Sequence, residues 1–277
     1  MDRSQTRLGN IFWRRLFLTW FILNPVAVHS SDTEESTKYD ACLRLAETNP
    51  IKGYKTGLEW YAANGGVAAR HCMAVSILFG GDNLNGASRL EALERDIPKK
   101  KTVLRSQILA QAGQALLMEG LVDRSSQLLT KAINLNPENP ELYLDRATAR
   151  IDQLKYIQAL NDLNQAIALD PNFGDAYLYR AYVKRDINDI AGAVTDIKRV
   201  LELLPGLPVA VLERGSLKEL IGDKNGARKD WETIIKQAPS SEEAKAAHIK
   251  IIGLDAKKPH YKIKKSVNVS NGSVLEK

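Results

Sequence analysis

Three arginines and three aspartates recur in fixed register along this chain of 277 residues. Arg146, Arg180 and Arg214 stand 34 residues apart, and Asp162, Asp196 and Asp230 each follow one of them by 16. A guanidinium fork matches a carboxylate, so each pair can clamp itself; alternatively, the arginines can form a row that grips an anionic ligand. A carboxylate arrives with every arginine, and a lone buried guanidinium is costly, so the clamp is the expected arrangement. Cys42 and Cys72 form an even pair. In an oxidising compartment they predict a disulfide closing a loop of about 30 residues, worth roughly 3 kcal/mol. In a reducing compartment they would be two buried thiols. The four histidines are scattered. His71 adjoins Cys72, but no Cys-x-x-Cys and no spaced second histidine completes a metal site. Gly80-Gly81 lacks the Gly-Lys-Ser/Thr of a phosphate loop, and no Gly-x-Ser-x-Gly elbow occurs. These residues predict no metal, no cofactor and no enzyme; they point to binding.

Composition sets the scaffold. The chain is 44% apolar, 26% charged and only 6% aromatic. Ala and Leu in place of β-branched and aromatic residues favour helices over a sandwich or barrel. The formal net charge of +6 is uneven: residues 1–30 hold +3, residues 255–277 hold +4, and the body between is close to neutral at −1. A nucleic-acid binder needs a basic folded surface, and this body has none. The basic stretch through Arg14-Arg15, the apolar run Leu16 to Leu23 and the small Val28 and Ser30 match a secretory signal cleaved near Ser30. The run is too short to cross a bilayer of about 30 Å. Arg14-Arg15-Leu16-Phe17-Leu18 also approaches a twin-arginine signal, so both export routes stay open. Cys42 lies too far past the apolar run, behind Tyr39-Asp40, for lipid attachment at the cleavage point.

The 34-residue interval is general. Pro137, Pro171, Pro205 and Pro239 share it, in the contexts AINLNP, AIALDP, VLELLP and IIKQAP. With this proline as position 32 of each unit, position 8 is Gly113, Ala147, Ala181 and Gly215, and position 20 is Ser125, Ala159, Ala193 and Ala227. Position 4 is Leu109, Tyr143, Tyr177 and Val211; position 24 is Leu129, Leu163, Ile197 and Trp231. Positions 4, 8 and 11 make one stripe of a first helix, and 20, 24 and 27 one stripe of a second. Small residues at 8 and 20 let the axes approach, and proline at 32 stops the second helix. Over residues 106–241, four units, the pattern resembles the tetratricopeptide repeat. The resemblance implies an all-α fold, a right-handed superhelix of helix–turn–helix units with helical caps. The sequence departs from that family at position 7, where three units carry arginine in place of an apolar residue.

Residues 31–105 read as an N-terminal cap plus a degenerate unit: helices near 38–47 and 53–63, then a pair over 68–97 turning at Gly80-Gly81-Asp82. The Cys42–Cys72 bridge would staple the cap to that pair. After the array, Ser240 and Glu243 suggest a capping box for a last helix within 242–254, closed by Gly253. Residues 255–277 read as a flexible lysine-rich tail, either solvated or touching an anionic partner.

In the resembling family, positions 2, 5, 9, 12 and 13 of each unit face a groove that takes peptides. Position 5 here is Ala110, Leu144, Leu178 and Leu212, an apolar row to which Ile151 and Tyr182 add. Among these positions Glu141, Asp152, Asp175, Asp186 and Glu219 outnumber Arg185. The carboxylate-clamp residues that co-chaperone members use are absent. The expected partner is therefore an apolar, neutral-to-basic segment of a cell-envelope protein, with the chain a periplasmic or secreted adaptor. The other readings are a self-associating homo-oligomer that uses the same surface, and an enzyme whose site carries no recognised motif.

Overall fold

The structure is a computed structural model that describes residues 33–256. The expected signal with its cleavage near Ser30, and the tail from residue 257 onward, lie outside the described residues. Among those described there are thirteen helices and no strand. They are α1 (Thr33–Thr48), α2 (Pro50–Ala62), α3 (Gly66–Phe79), α4 (Asn83–Asp96), α5 (Thr102–Met118), α6 (Val122–Leu135), α7 (Pro140–Asp152), α8 (Tyr156–Leu169), α9 (Gly174–Asp186), α10 (Ile190–Leu203), α11 (Pro208–Leu220), α12 (Lys224–Gln237) and α13 (Glu242–Ala256).

Local chemistry places the ends. The second helices α6, α8, α10 and α12 each stop two residues before the recurrent proline. Asn139 caps α7 by accepting from the Glu141 amide, and Pro140 opens that helix, where a missing amide proton costs nothing. Asp189 and Asp223 cap α10 and α12 by accepting from the Gly192 and Gly226 amides. Between the helices of each unit, position 15 is in the left-handed region: Gly120, Leu154, Asn188 and Gly222, with φ between 58° and 89°. Glycine and asparagine take that conformation readily; leucine does not.

Each helix packs on its chain neighbours, so the core is a series of overlapping clusters. One runs from Ala74 on α3 to Ala149 on α7; a second joins α7, α8 and α9 through Leu144, Leu163 and Val183; a third joins α9, α10 and α11 through Leu178, Ile197 and Leu217. Stability is then a sum of hairpins and their interfaces.

The structure corrects several boundaries. α1 and α2 are longer than expected at their amino ends, and α5 starts at Thr102, before the first 34-residue frame. Ser241, rather than Ser240, caps the last helix, accepting from the Ala244 amide at 3.0 Å. Gly253 does not close α13. The helix continues to Ala256 because Leu254 is buried against the array, and that contact outweighs the weak helix preference of one glycine.

Candidate functional site

The recurrent arginines are each engaged by the aspartate that follows 16 residues on. Arg180 Nε and Nη2 donate to the two oxygens of Asp196 at 2.9 and 2.6 Å. Arg146 grips Asp162 at 3.0 and 2.7 Å, and Arg214 grips Asp230 at 2.9 and 2.8 Å. The third nitrogen reaches backward in two units: Arg146 to Thr130 on α6 and Arg180 to Asn164 on α8. These arginines therefore tie a first helix both to its own second helix and to that of the preceding unit. Tyr143 and Tyr177, at position 4, lie beneath the guanidinium groups of Arg146 and Arg180.

A second cation joins every pair, and the sequence reading missed it. Arg150, Lys184 and Lys218, all at position 11, contact the same aspartates at 2.5, 2.8 and 2.8 Å. The signal was visible as a basic residue recurring on a stripe assigned to packing. The three aspartates are buried. Burial raises the Asp230 carboxyl, but hydrogen bonds from Arg214 and Lys218 outweigh it and hold the group below the usual range. The first unit solves the same spot with apolar residues, the buried Ala112, Leu116 and Leu128.

The expected apolar groove floor is not a surface. Leu144 and Leu178 are only 7% and 4% exposed, and Ala110 is buried with them. They pack within the clusters between successive first helices. Leu212 is half-buried against the cluster around Trp231. Ile151, Tyr182 and Arg185 are half-buried, and Asp152 and Asp186 are exposed. A helix of 13 residues in contact with helices on two sides needs a wide apolar stripe, and position 5 belongs to it.

Positions 6 and 9 instead carry polar rungs from one first helix to the next. His71 Nε2 meets Gln111 Oε1 at 2.6 Å, and Gln114 donates to Asp145 at 2.8 Å. Tyr179 shares a hydrogen bond with Thr148 and stands edge-on to Tyr182, ring centres 6.4 Å apart. Arg185 lies over the Tyr182 ring and donates to Glu213 at 2.6 Å. Burial pushes the Asp145 carboxyl up to about 7, against the Gln114 hydrogen bond and with help from Glu141. Burial raises Asp175 and Glu213 as well, the latter against the pull of Arg185. Glu141, Asp152, Asp175, Asp186 and Glu219 flank these rungs, and Arg185 is drawn to Glu213 and Asp186.

At the amino end, Cys42 and Cys72 form a disulfide with Cα atoms 6.0 Å apart, joining α1 to α3 with both residues fully buried. Beside it the Tyr39 hydroxyl meets His71 Nδ1 at 2.6 Å, so His71 bridges α1 to α5 through Gln111. Burial lowers His71 to about 4, which keeps the imidazole neutral and able to donate on one nitrogen while accepting on the other. Among the described residues no group of three His, Cys, Asp or Glu could hold a metal ion.

No protein-family model and no curated sequence matches the chain. Solved structures do. PilF of Pseudomonas aeruginosa is similar with a TM-score of 0.61 at 14% identity, covering 79% of this chain and 100% of that one. TTC0263, a thermophilic tetratricopeptide protein of Thermus thermophilus, gives 0.55 at 16%, covering 69% and 99%. MamA of Desulfovibrio magneticus RS-1 gives 0.55 at 16%, covering 64% and 97%. The fold is a tetratricopeptide-repeat solenoid.

Proposed function

We propose that the chain is an exported interaction scaffold of the bacterial envelope that holds a neutral-to-basic polypeptide segment along its first-helix face. The observation that carries this is the charge of that face. Carboxylates at positions 2, 12 or 13 flank the polar rungs in three successive units, and Arg185 is engaged by Glu213 and Asp186. With Leu144 and Leu178 buried, recognition rests on these carboxylates and on Tyr182, so the segment is basic more than apolar. A stacked array offers such a face without a catalytic group. Export is supported by the basic amino-terminal segment with its short apolar run, and by a buried disulfide, which suits an oxidising compartment. The test is fluorescence anisotropy with a labelled lysine-rich peptide. Glu141→Lys with Asp175→Lys should weaken capture at least tenfold with helicity unchanged, as should about 0.5 M salt. Equal binding by the variant ends the reading.

Self-association is favoured by a separate observation. α13 stands in frame as the first helix of a fifth unit. Its positions 8 and 11, covered by a second helix in every earlier unit, are Ile249 and Ile252, exposed by 61% and 68%. A second copy is the expected cover. Light scattering on the wild type and on Ile249→Glu/Ile252→Glu decides: a monomer in both rules it out.

A further inference from the structure

The turns inside the helix pairs all fall on one edge of a stacked array, and here that edge is apolar. Five successive turns, with the helix ends that adjoin them, each expose a large aliphatic side chain: Leu84, Leu121, Leu154 with Ile157, Ile187, and Leu220 with Ile221, all between 40% and 68% exposed. Turns ordinarily take polar residues. At Leu154 the choice is doubly unfavourable: it is 68% exposed and holds φ at 58°, where its counterparts are Gly120, Asn188 and Gly222. A repeated exposed aliphatic row marks a surface that something covers.

Charge runs beside the row. From the acid at or next to the end of each first helix to the opening residue of the second, the four regular turns hold Glu119, Asp152, Asp186, Asp189, Glu219 and Asp223 against Lys155 and Lys224, a net of −4. Carboxylates at helix carboxyl ends also oppose the helix dipole.

We propose that residues 257–277 of this chain dock along the turn edge. The described chain ends at Ala256, which is position 15 of the fifth frame, so the following residues leave at that same edge. They hold six lysines and one glutamate, a net of +5, interspersed with Tyr261, Ile263, Val267, Val269, Val274 and Leu275. Charge and apolar content complement the row. Twenty-one residues extended span about 70 Å. Successive first helices pack on one another through the Gln114–Asp145 and Arg185–Glu213 rungs, so at about 8–10 Å between packed helices a unit advances roughly 10 Å. The segment therefore reaches Ile221, Ile187 and Leu154 in turn. This inference does not depend on the first-helix face as a partner site.

The test uses the full chain. Amide hydrogen exchange at residues 152–157, 186–190 and 219–224 is compared between wild type and a variant with Lys257, Lys258, Lys262, Lys264 and Lys265 all changed to Glu. Protection should fall at least fivefold in the variant. A labelled peptide of residues 257–277 should then bind the variant saturably. Leu154→Lys/Ile187→Lys/Ile221→Lys, at exposed sites that leave helicity intact, should weaken that binding at least tenfold. Leu154→Gly should weaken it too while raising Tm. Unchanged protection, or a peptide indifferent to the turn substitutions, overturns the proposal. Protection that survives charge reversal but rises with protein concentration assigns the edge to a second copy instead. Capture of a lysine-rich peptide that is lost by Glu141→Lys/Asp175→Lys should survive Leu154→Gly, which adds no charge beside Asp152, so the two readings fail separately.

Discussion

Gly215 and Trp231 fit together because one has no side chain. A Cβ on Gly215 would stand 2.4 Å from Trp231 Nε1, and Trp231 is fully buried with that nitrogen donating to the Leu212 carbonyl at 3.3 Å. The indole has no room to retreat. Gly215→Ala should lower stability by about 2 kcal/mol, despite the better helix preference of alanine. Thermal melts of the single variant and of Gly215→Ala/Trp231→Leu check this; the leucine found in two other units at position 24 should restore most of the loss.

The Asp-centred sets make a sharper prediction. Asp196→Ala leaves Arg180 and Lys184 facing each other across a buried gap, and should cost about 3 kcal/mol in a denaturant melt. Replacing the whole set with its first-unit equivalents, Arg180→Ala, Lys184→Leu and Asp196→Leu, should cost far less or stabilise, because Ala112, Leu116 and Leu128 already fill that volume. A triple variant less stable than Asp196→Ala would show that the ions hold the array together rather than only its register.

Acidity should act on two buried groups with opposite sign. His71 sits at about 4 in the folded chain and 6.5 when exposed, so the unfolded chain binds more protons between those values and stability rises with pH there. Asp145 sits at about 7 against an ordinary 3.8, so the folded chain binds more protons and stability falls as pH climbs from about 4 to 7. Asp145→Asn, still able to accept from Gln114, should raise Tm by a few degrees at about pH 8 and scarcely at all at about pH 4. Between about pH 4 and 6.5 the two slopes nearly cancel in the wild type, so His71→Gln should leave stability falling with pH across that range. Melts across that range read both slopes.

Reduction should loosen one end. The Cys42–Cys72 loop is worth roughly 3–4 kcal/mol by loop closure. Cys42→Ser/Cys72→Ser should lower the melting of α1 and α2 by that order, seen as faster amide exchange in residues 33–62 with α9 to α12 unchanged. Uniform acceleration along the chain would contradict a core built of overlapping clusters.

The repeat was legible because its signals are periodic. Proline, small residues and bulky residues each recur at 34, and each column has a steric cause that needs no knowledge of the neighbours. The Arg–Asp register could be read for the same reason. Lys184 and its counterparts were not, since a basic residue on a packing stripe looks like surface until the buried Asp196 opposite is in view. Leu144 and Leu178 misled in the other direction. An apolar position on a first helix can line a groove or fill the seam to the next unit, and only the closeness of the stacked helices decides. The polar rungs from Gln114 to Asp145 and from Arg185 to Glu213 span 31 and 28 residues, and no local pattern announces contacts at that range.

Because each hairpin leans only on its neighbours while Cys42 and Cys72 are covalently joined, the array is a spring with one coil locked. Drawn from its two ends, it would unravel hairpin by hairpin from the carboxyl side. The 30-residue span between the two sulfurs would stay shut, withholding about 100 Å of contour until the bond itself was cut.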